Sequence, residues 1–162
     1  MNPEQFFTLV GLTNTDAVLV DAIQANGASI EDLSPKKLKE LTTDFVQFKQ
    51  LGVVLAFTPK GFFESHHGMD PRGNGPYALD GVIYYPNGSA SLSAYLSTLP
   101  FASGPVNTRD QALAAFGEPQ ETEEDDGDID WDIWKRDDLQ VHVDYKSDLS
   151  VKTVTYSFPM KD

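Results

Sequence analysis

The chain has 162 residues and a mass of 17.9 kDa, the size of one ordinary domain, so a single domain over 1–162 is expected. Hydrophobic residues make up 40% of it, with 10 Phe, 6 Tyr and 2 Trp, which is enough for a core without metals or disulfides and excludes wholesale disorder. Lys and Arg total 12 against 25 Asp and Glu, a net charge of −13; binding phosphates needs the opposite sign, so a nucleic-acid binder is excluded.

Asn2–Val10 reads as a short helix stopped by Gly11. Thr13–Asp16 supplies capping residues for a second helix, whose apolar positions Val18, Leu19, Ala22 and Ile23 lead to a terminal glycine, Gly27. Ser34 and Pro35 form a cap and first-turn pair for a brief third helix. From residue 43 the period changes. Phe45–Lys49 and Val53–Phe57 flank a Gly-containing break and predict a hairpin. Pro59–Ala78 holds four of the 12 glycines and three of the 10 prolines and is predicted as a loop. Ala78–Tyr85 resumes as a strand, Pro86-Asn87-Gly88 turns the chain, and Ala94-Tyr95-Leu96 is a further short strand.

The last third has the clearest pattern. Thr108 with Gln111 three residues later is a capping-box arrangement; Ala112, Leu113, Ala115 and Phe116 form an apolar face, and Gly117-Glu118-Pro119 ends the helix. Ile129, Trp131 and Ile133 then alternate with Asp128, Asp130 and Asp132; Leu139, Val141, Val143 and Tyr145 alternate likewise, as do Val154, Tyr156 and Phe158. The predicted fold is α+β: N-terminal helices (1–42) on an antiparallel sheet (strands and a Gly/Pro loop, 43–100), then a helix, the FGEP stop and a three-stranded meander (101–162).

Most of the acidity is local. Residues 118–132 contain nine acids and no base, and without them 16 acids face 12 bases, a net of −4. The segment is expected to be a solvated loop that offers a docking surface to a basic partner, built from Glu121, Glu123, Glu124, Asp125, Asp126, Asp128, Asp130 and Asp132. By strand parity Trp131 belongs with the core, whereas Trp134 falls with the aspartates and is the expected exposed interface anchor.

Catalytic signatures are sparse. With no cysteine there is no thiolate zinc site, Cys nucleophile or lipid-modified Cys. Ser65–Asp70 is the one cluster that resembles an active site, since two imidazoles and a carboxylate are metal-ligand and base types. Neighbouring residues of an extended chain point apart, so the segment is read as a surface loop, with a metal-dependent hydrolase built on His66, His67 and Asp70 as the alternative. Residues 126–137 miss the EF-hand pattern at its sixth and twelfth positions, where Trp131 and Asp137 stand. No phosphate-binding glycine loop and no nucleophile elbow occurs. The expectation is a non-enzymatic protein without cofactor or metal. Val53–Phe57, the longest apolar run, cannot span a bilayer, and Phe6–Leu12 lacks both a positive preceding region and a small-residue cleavage site; a cytosolic location is expected.

Thr108–Leu113 with Phe116-Gly117-Glu118-Pro119, then Trp131 and Trp134 on paired strands, resembles the helix–FGxP–hairpin unit of the outer-membrane assembly lipoprotein BamE and of the β-lactamase inhibitor protein BLIP. Thr43–Phe57, Leu79–Tyr85, Leu99-Pro100 and Thr108–Pro119 are together similar to small cytosolic proteins encoded beside bacterial polymorphic toxins, including type VI secretion and Rhs-type effectors. This second resemblance spans roughly residues 14–158 and implies an immunity protein that binds a cognate toxin and blocks its active site by stoichiometric occlusion. An assembly or adaptor protein is the other non-enzymatic alternative.

Overall fold

A computed structural model describes all residues from Met1 to Asp162. It contains a seven-stranded antiparallel sheet in the order β1-β2-β3-β7-β6-β5-β4, with helices in the N-terminal half and one before β4, an α+β fold. The strands are β1 Asp44–Phe48, β2 Val53–Pro59, β3 Tyr77–Tyr84, β4 Glu121–Asp125, β5 Asp128–Arg136, β6 Leu139–Tyr145 and β7 Val151–Ser157. The helices are α1 Ala17–Ala25, α2 Pro35–Leu41, α3 Lys60–His67 and α4 Arg109–Phe116, with 3-10 segments at Pro3–Leu9 and Ile30–Asp32. No helix is long and apolar enough to cross a membrane. By contacts the chain groups into two compact units, interleaved along the sequence: 1–48, 54–82 and 157–162 in the first, 49–53 and 83–156 in the second.

In the first unit the helix ends follow local chemistry. The Asp16 carboxylate accepts from the Val18 and Leu19 amides and starts α1. At its other end Gly27, at φ +90°, allows the Ala28 amide to reach the Ile23 carbonyl and its own amide to reach Gln24, a Schellman ending. Leu19, Ala22 and Ile23 are buried, one turn apart. The Ser34 hydroxyl accepts from Lys37 and Pro35 opens α2, as the cap and proline predict. Phe6, Leu9, Leu38, Val46, Phe48, Leu55, Phe57 and Leu79 complete this core.

Three expectations are corrected here. Residues 60–67, within the predicted loop, form α3: Phe63 and His67, four apart, are both buried, and Gly68 at φ +66° closes the helix. Burial of that pair outweighs a weak local signal, since the N-cap is Pro59 without a capping side chain and Gly61 lies in the first turn. Ala94-Tyr95-Leu96 is not a strand. Ser93 and Tyr95 donate single backbone bonds to Lys49 and Tyr85 without a ladder, and Leu96 is 92% exposed. Third, residues 121–125, within the expected acidic loop, form β4, which pairs with the expected strand from Asp128 onward in a β-hairpin, because Asp126 and Gly127 both take positive φ, as a type I′ turn requires.

In the second unit, Tyr84, Tyr95 and Tyr156 stack edge-on at 4.7 and 5.4 Å, and Phe116, Trp134, Val141, Val143 and Val154 continue the core. Gly52 serves this unit through absence of a side chain: at φ +72°, a Cβ there would lie 2.7 Å from the Tyr95 nitrogen. Gly52→Ala is expected to lower stability by about 1–3 kcal/mol through strain and backbone displacement, read from the urea midpoint at unchanged m-value.

Candidate functional site

β5 is where the sequence pattern and the structure part. β6 has a clean alternation with Leu139, Val141, Val143 and Tyr145 buried, and its register with β5 sets Val143 opposite Asp132 and Val141 opposite Trp134. Residues paired across strands share a face. The buried side of β5 therefore carries Asp132 and Trp134, while Ile129, Trp131 and Ile133 are only half-buried. Trp134 is 1% exposed and Asp132 is fully buried, so neither is available as a docking residue. Trp131, expected in the core, is half-exposed instead. Apolar residues at 129, 131 and 133 pointed to the wrong parity; Asp132 and Trp134 go inward because α4 supplies partners for them.

Those partners grip α4 at both ends. Arg109, its first residue, donates from Nε to Asp132 Oδ2 at 2.9 Å and from Nη2 to Oδ1 at 3.3 Å. Thr122 on β4 donates to Oδ1 at 2.5 Å, and the Tyr145 hydroxyl at the end of β6 donates to Oδ2 at 2.7 Å. At the other end the Trp134 indole N–H donates to the Gly117 carbonyl at 3.0 Å and Arg136 Nη2 donates to the Phe116 carbonyl, satisfying groups that a helix C-terminus leaves unpaired. The lengths match: eight residues of helix rise about 12 Å and four of strand about 13 Å. Thr108 caps α4 by accepting from the Gln111 amide, while the Gln111 side chain reaches Asn107 rather than Thr108, one residue off the capping box.

Burial alone would push the Asp132 carboxyl up, but the hydrogen bonds from Arg109, Thr122 and Tyr145 and the Arg109 charge together outweigh it and hold the group below its ordinary value. Tyr145 is pushed up by burial and by the same carboxylate. With both carboxylate oxygens already occupied, this is a clasp that fixes the β4–β5 hairpin to α4, not a reactive acid or base.

The remaining acidic residues are exposed. Glu121, Glu123, Glu124 and Asp125 lie on β4, the last strand of the sheet order; Asp126 lies in the turn; Asp128 and Asp130 lie on β5. The register shifts between Glu123 and Glu124, leaving Asp130 as an extra residue on β5. Residues 121–130 of the hairpin thus present seven exposed carboxylates and no cation; its two basic residues, Lys135 and Arg136, stand at the far end of β5.

His66 and His67 end α3. The His67 ring is buried against Phe63 at 4.7 Å, its Nδ1 hydrogen-bonded to the Pro159 carbonyl at 3.1 Å and its Nε2 to Asp80 at 2.5 Å. His66 stacks on Phe62, and Asp70 is exposed beyond the helix. Both His67 nitrogens are engaged by oxygens, so His66, His67 and Asp70 do not converge on a metal; no three such side chains in the chain do. The carboxylate that sequence reading missed is Asp80, which only the β3–α3 packing brings to His67. A cavity of about 440 Å³ lies in the second unit, where Tyr95, Thr98, Leu99, Ser103, Val106 and Asn107 are among an uncharged lining.

No family model matches this chain. No curated protein and no solved structure matches it either.

Two outcomes test these clusters. Arg109→Ala, which strands a buried carboxylate, is expected to cost about 3–5 kcal/mol in urea unfolding, and Thr122→Val about 1 kcal/mol. Because the Asp132 value is lowered on folding, its contribution is complete above the ordinary value of 3.8 and is lost as pH falls through the lower folded value; Asp132→Asn should flatten that acid limb. For His67, burial alone lowers the value, but the Asp80 and Pro159 hydrogen bonds and the Asp80 charge raise it above 6.5. Its contribution is complete below that point and is lost as pH rises through the raised value, so the midpoint difference between wild type and Asp80→Asn should shrink toward alkaline pH.

Proposed function

We propose that this chain is an immunity protein: it binds a cognate bacterial effector toxin that acts in the cytosol and blocks the toxin's active site by stoichiometric occlusion. One observation carries the reading. Seven carboxylates stand exposed on a single hairpin at the end of the sheet, and the Asp132 clasp holds that hairpin in a fixed orientation. A preorganised charged surface gives fast, steered association at little ordering cost. The complementary surface is cationic, as a nuclease or another enzyme with an anionic substrate carries around its active site.

The α4–FGEP–β4–β5 arrangement supports the likeness to the BamE- and BLIP-type unit, with Gly117 at φ +89° ending the helix where that pattern has its glycine. The acidic residues that dock are Glu121, Glu123, Glu124, Asp125, Asp126, Asp128 and Asp130. Asp132 positions them.

Changing these seven to Gln and Asn, with Asp132 left intact, should weaken toxin binding by about 10²-fold or more and flatten its salt dependence, by calorimetry at two salt concentrations. Unaltered affinity would remove the hairpin as the docking surface. Tight binding without loss of toxin activity would make the chain an adaptor instead.

A further inference from the structure

The face of the second unit's sheet that carries Trp131 bears a second arrangement, distinct from the charge of the hairpin tip. In the cross-strand register, Glu123 on β4 stands opposite Trp131 on β5, and Trp131 stands opposite Asp144 on β6. The neighbouring row is Glu121, Ile133, His142. Directly paired residues lie on one face, so this side is a short apolar strip, Trp131 and Ile133, with glutamates along its β4 side and Lys135 beyond Ile133 on β5. The Trp131 ring packs at 5.2 Å from His142. His142 Nε2 is 3.2 Å from Asp144 Oδ1, and Thr153 donates to Asp144 Oδ2 at 3.1 Å, so the β6 side is internally tied. Glu121 and Glu123 take part in no ion pair within the chain, whose three involve Asp80, Asp132 and Asp144.

A half-exposed indole beside a free carboxylate suits one chemical group above others. A planar guanidinium stacks on the ring, is attracted by its quadrupole, and donates in its plane to a carboxylate at the ring's edge; an ammonium satisfies either partner but lacks the planar fork. A neutral apolar partner would leave Glu121 and Glu123 beside a dry interface, which desolvation penalises.

We infer that Trp131 and Glu123 form a socket for an arginine side chain presented by the protein partner. The inference deepens the proposed function and rests on the chain binding a cationic protein: the hairpin supplies long-range attraction, and the socket supplies the short-range anchor that Trp134 cannot.

The probe is an oligo-arginine peptide, with an oligo-lysine peptide of equal length for comparison, titrated into the full chain. For wild type the arginine peptide should bind several-fold more tightly. Trp131→Leu, which keeps apolar bulk, should weaken arginine-peptide binding about five- to tenfold and abolish the preference, with the salt dependence unchanged. Glu123→Gln should do the same in part. Equal affinity for the two peptides in wild type, or full affinity in Trp131→Leu, would overturn the socket. Neutralising Glu124, Asp125, Asp126, Asp128 and Asp130 while Trp131 and Glu123 remain tests the hairpin separately: wild-type affinity and salt dependence in that variant would overturn the docking reading itself. Should Trp131→Leu not fold, the indole N–H signals of wild type decide: the Trp131 signal should move on addition of arginine peptide while that of buried Trp134 stays, and an unmoved Trp131 signal would overturn the inference.

Discussion

The second unit depends on keeping one buried carboxylate ionised. Asp132 has no solvent exposure, and an unpaired charge there would cost several kcal/mol. It is tolerable because donors arrive from three different elements: Arg109 from α4, Thr122 from β4 and Tyr145 from β6. Each is necessary geometry for the others. A hydrophobic pair at the site would accept many relative positions of hairpin and helix; a bidentate guanidinium with two hydroxyls accepts few. The cluster therefore sets orientation more than it adds stability, and what it orients is the acidic hairpin.

The sequence made much of the fold legible, and the reason differs by element. Caps were readable because their chemistry is local: Asp16, Ser34 and Thr108 each accept from an amide two or three residues ahead. β6 was readable because its two faces differ in polarity. α3 was not, since its helix rests on Phe63 and His67 packing into the core and on a C-terminal glycine, with no side chain to announce its start. The acidic hairpin was obscured by charge: five exposed residues of β4 have no apolar alternation, and the Asp126-Gly127 pair was the only turn signal available.

For the site, the misreading of β5 is instructive. Three apolar residues stand at odd positions and Trp134 alone among the aspartates at even ones, so periodicity alone points to the odd face, one residue out from the side that is buried. Only the partner strand, with Val141 and Val143 unambiguously inward, distinguishes them. The same slip exchanged the roles of the two tryptophans and placed the buried Asp132 on the surface. Likewise His66 and His67 are adjacent in sequence, but on a helix they diverge by about 100°, so one enters the core and the other stacks on Phe62.

The position of β4 has a consequence for the company the molecule keeps. A terminal strand leaves a row of amides and carbonyls without a ladder, which invites identical molecules to continue the sheet into a polymer. Here four of its five residues are anionic, so a second copy meets like charge along the whole contact. The same row of charges that makes this edge conspicuous thus also disfavours its extension by an identical strand.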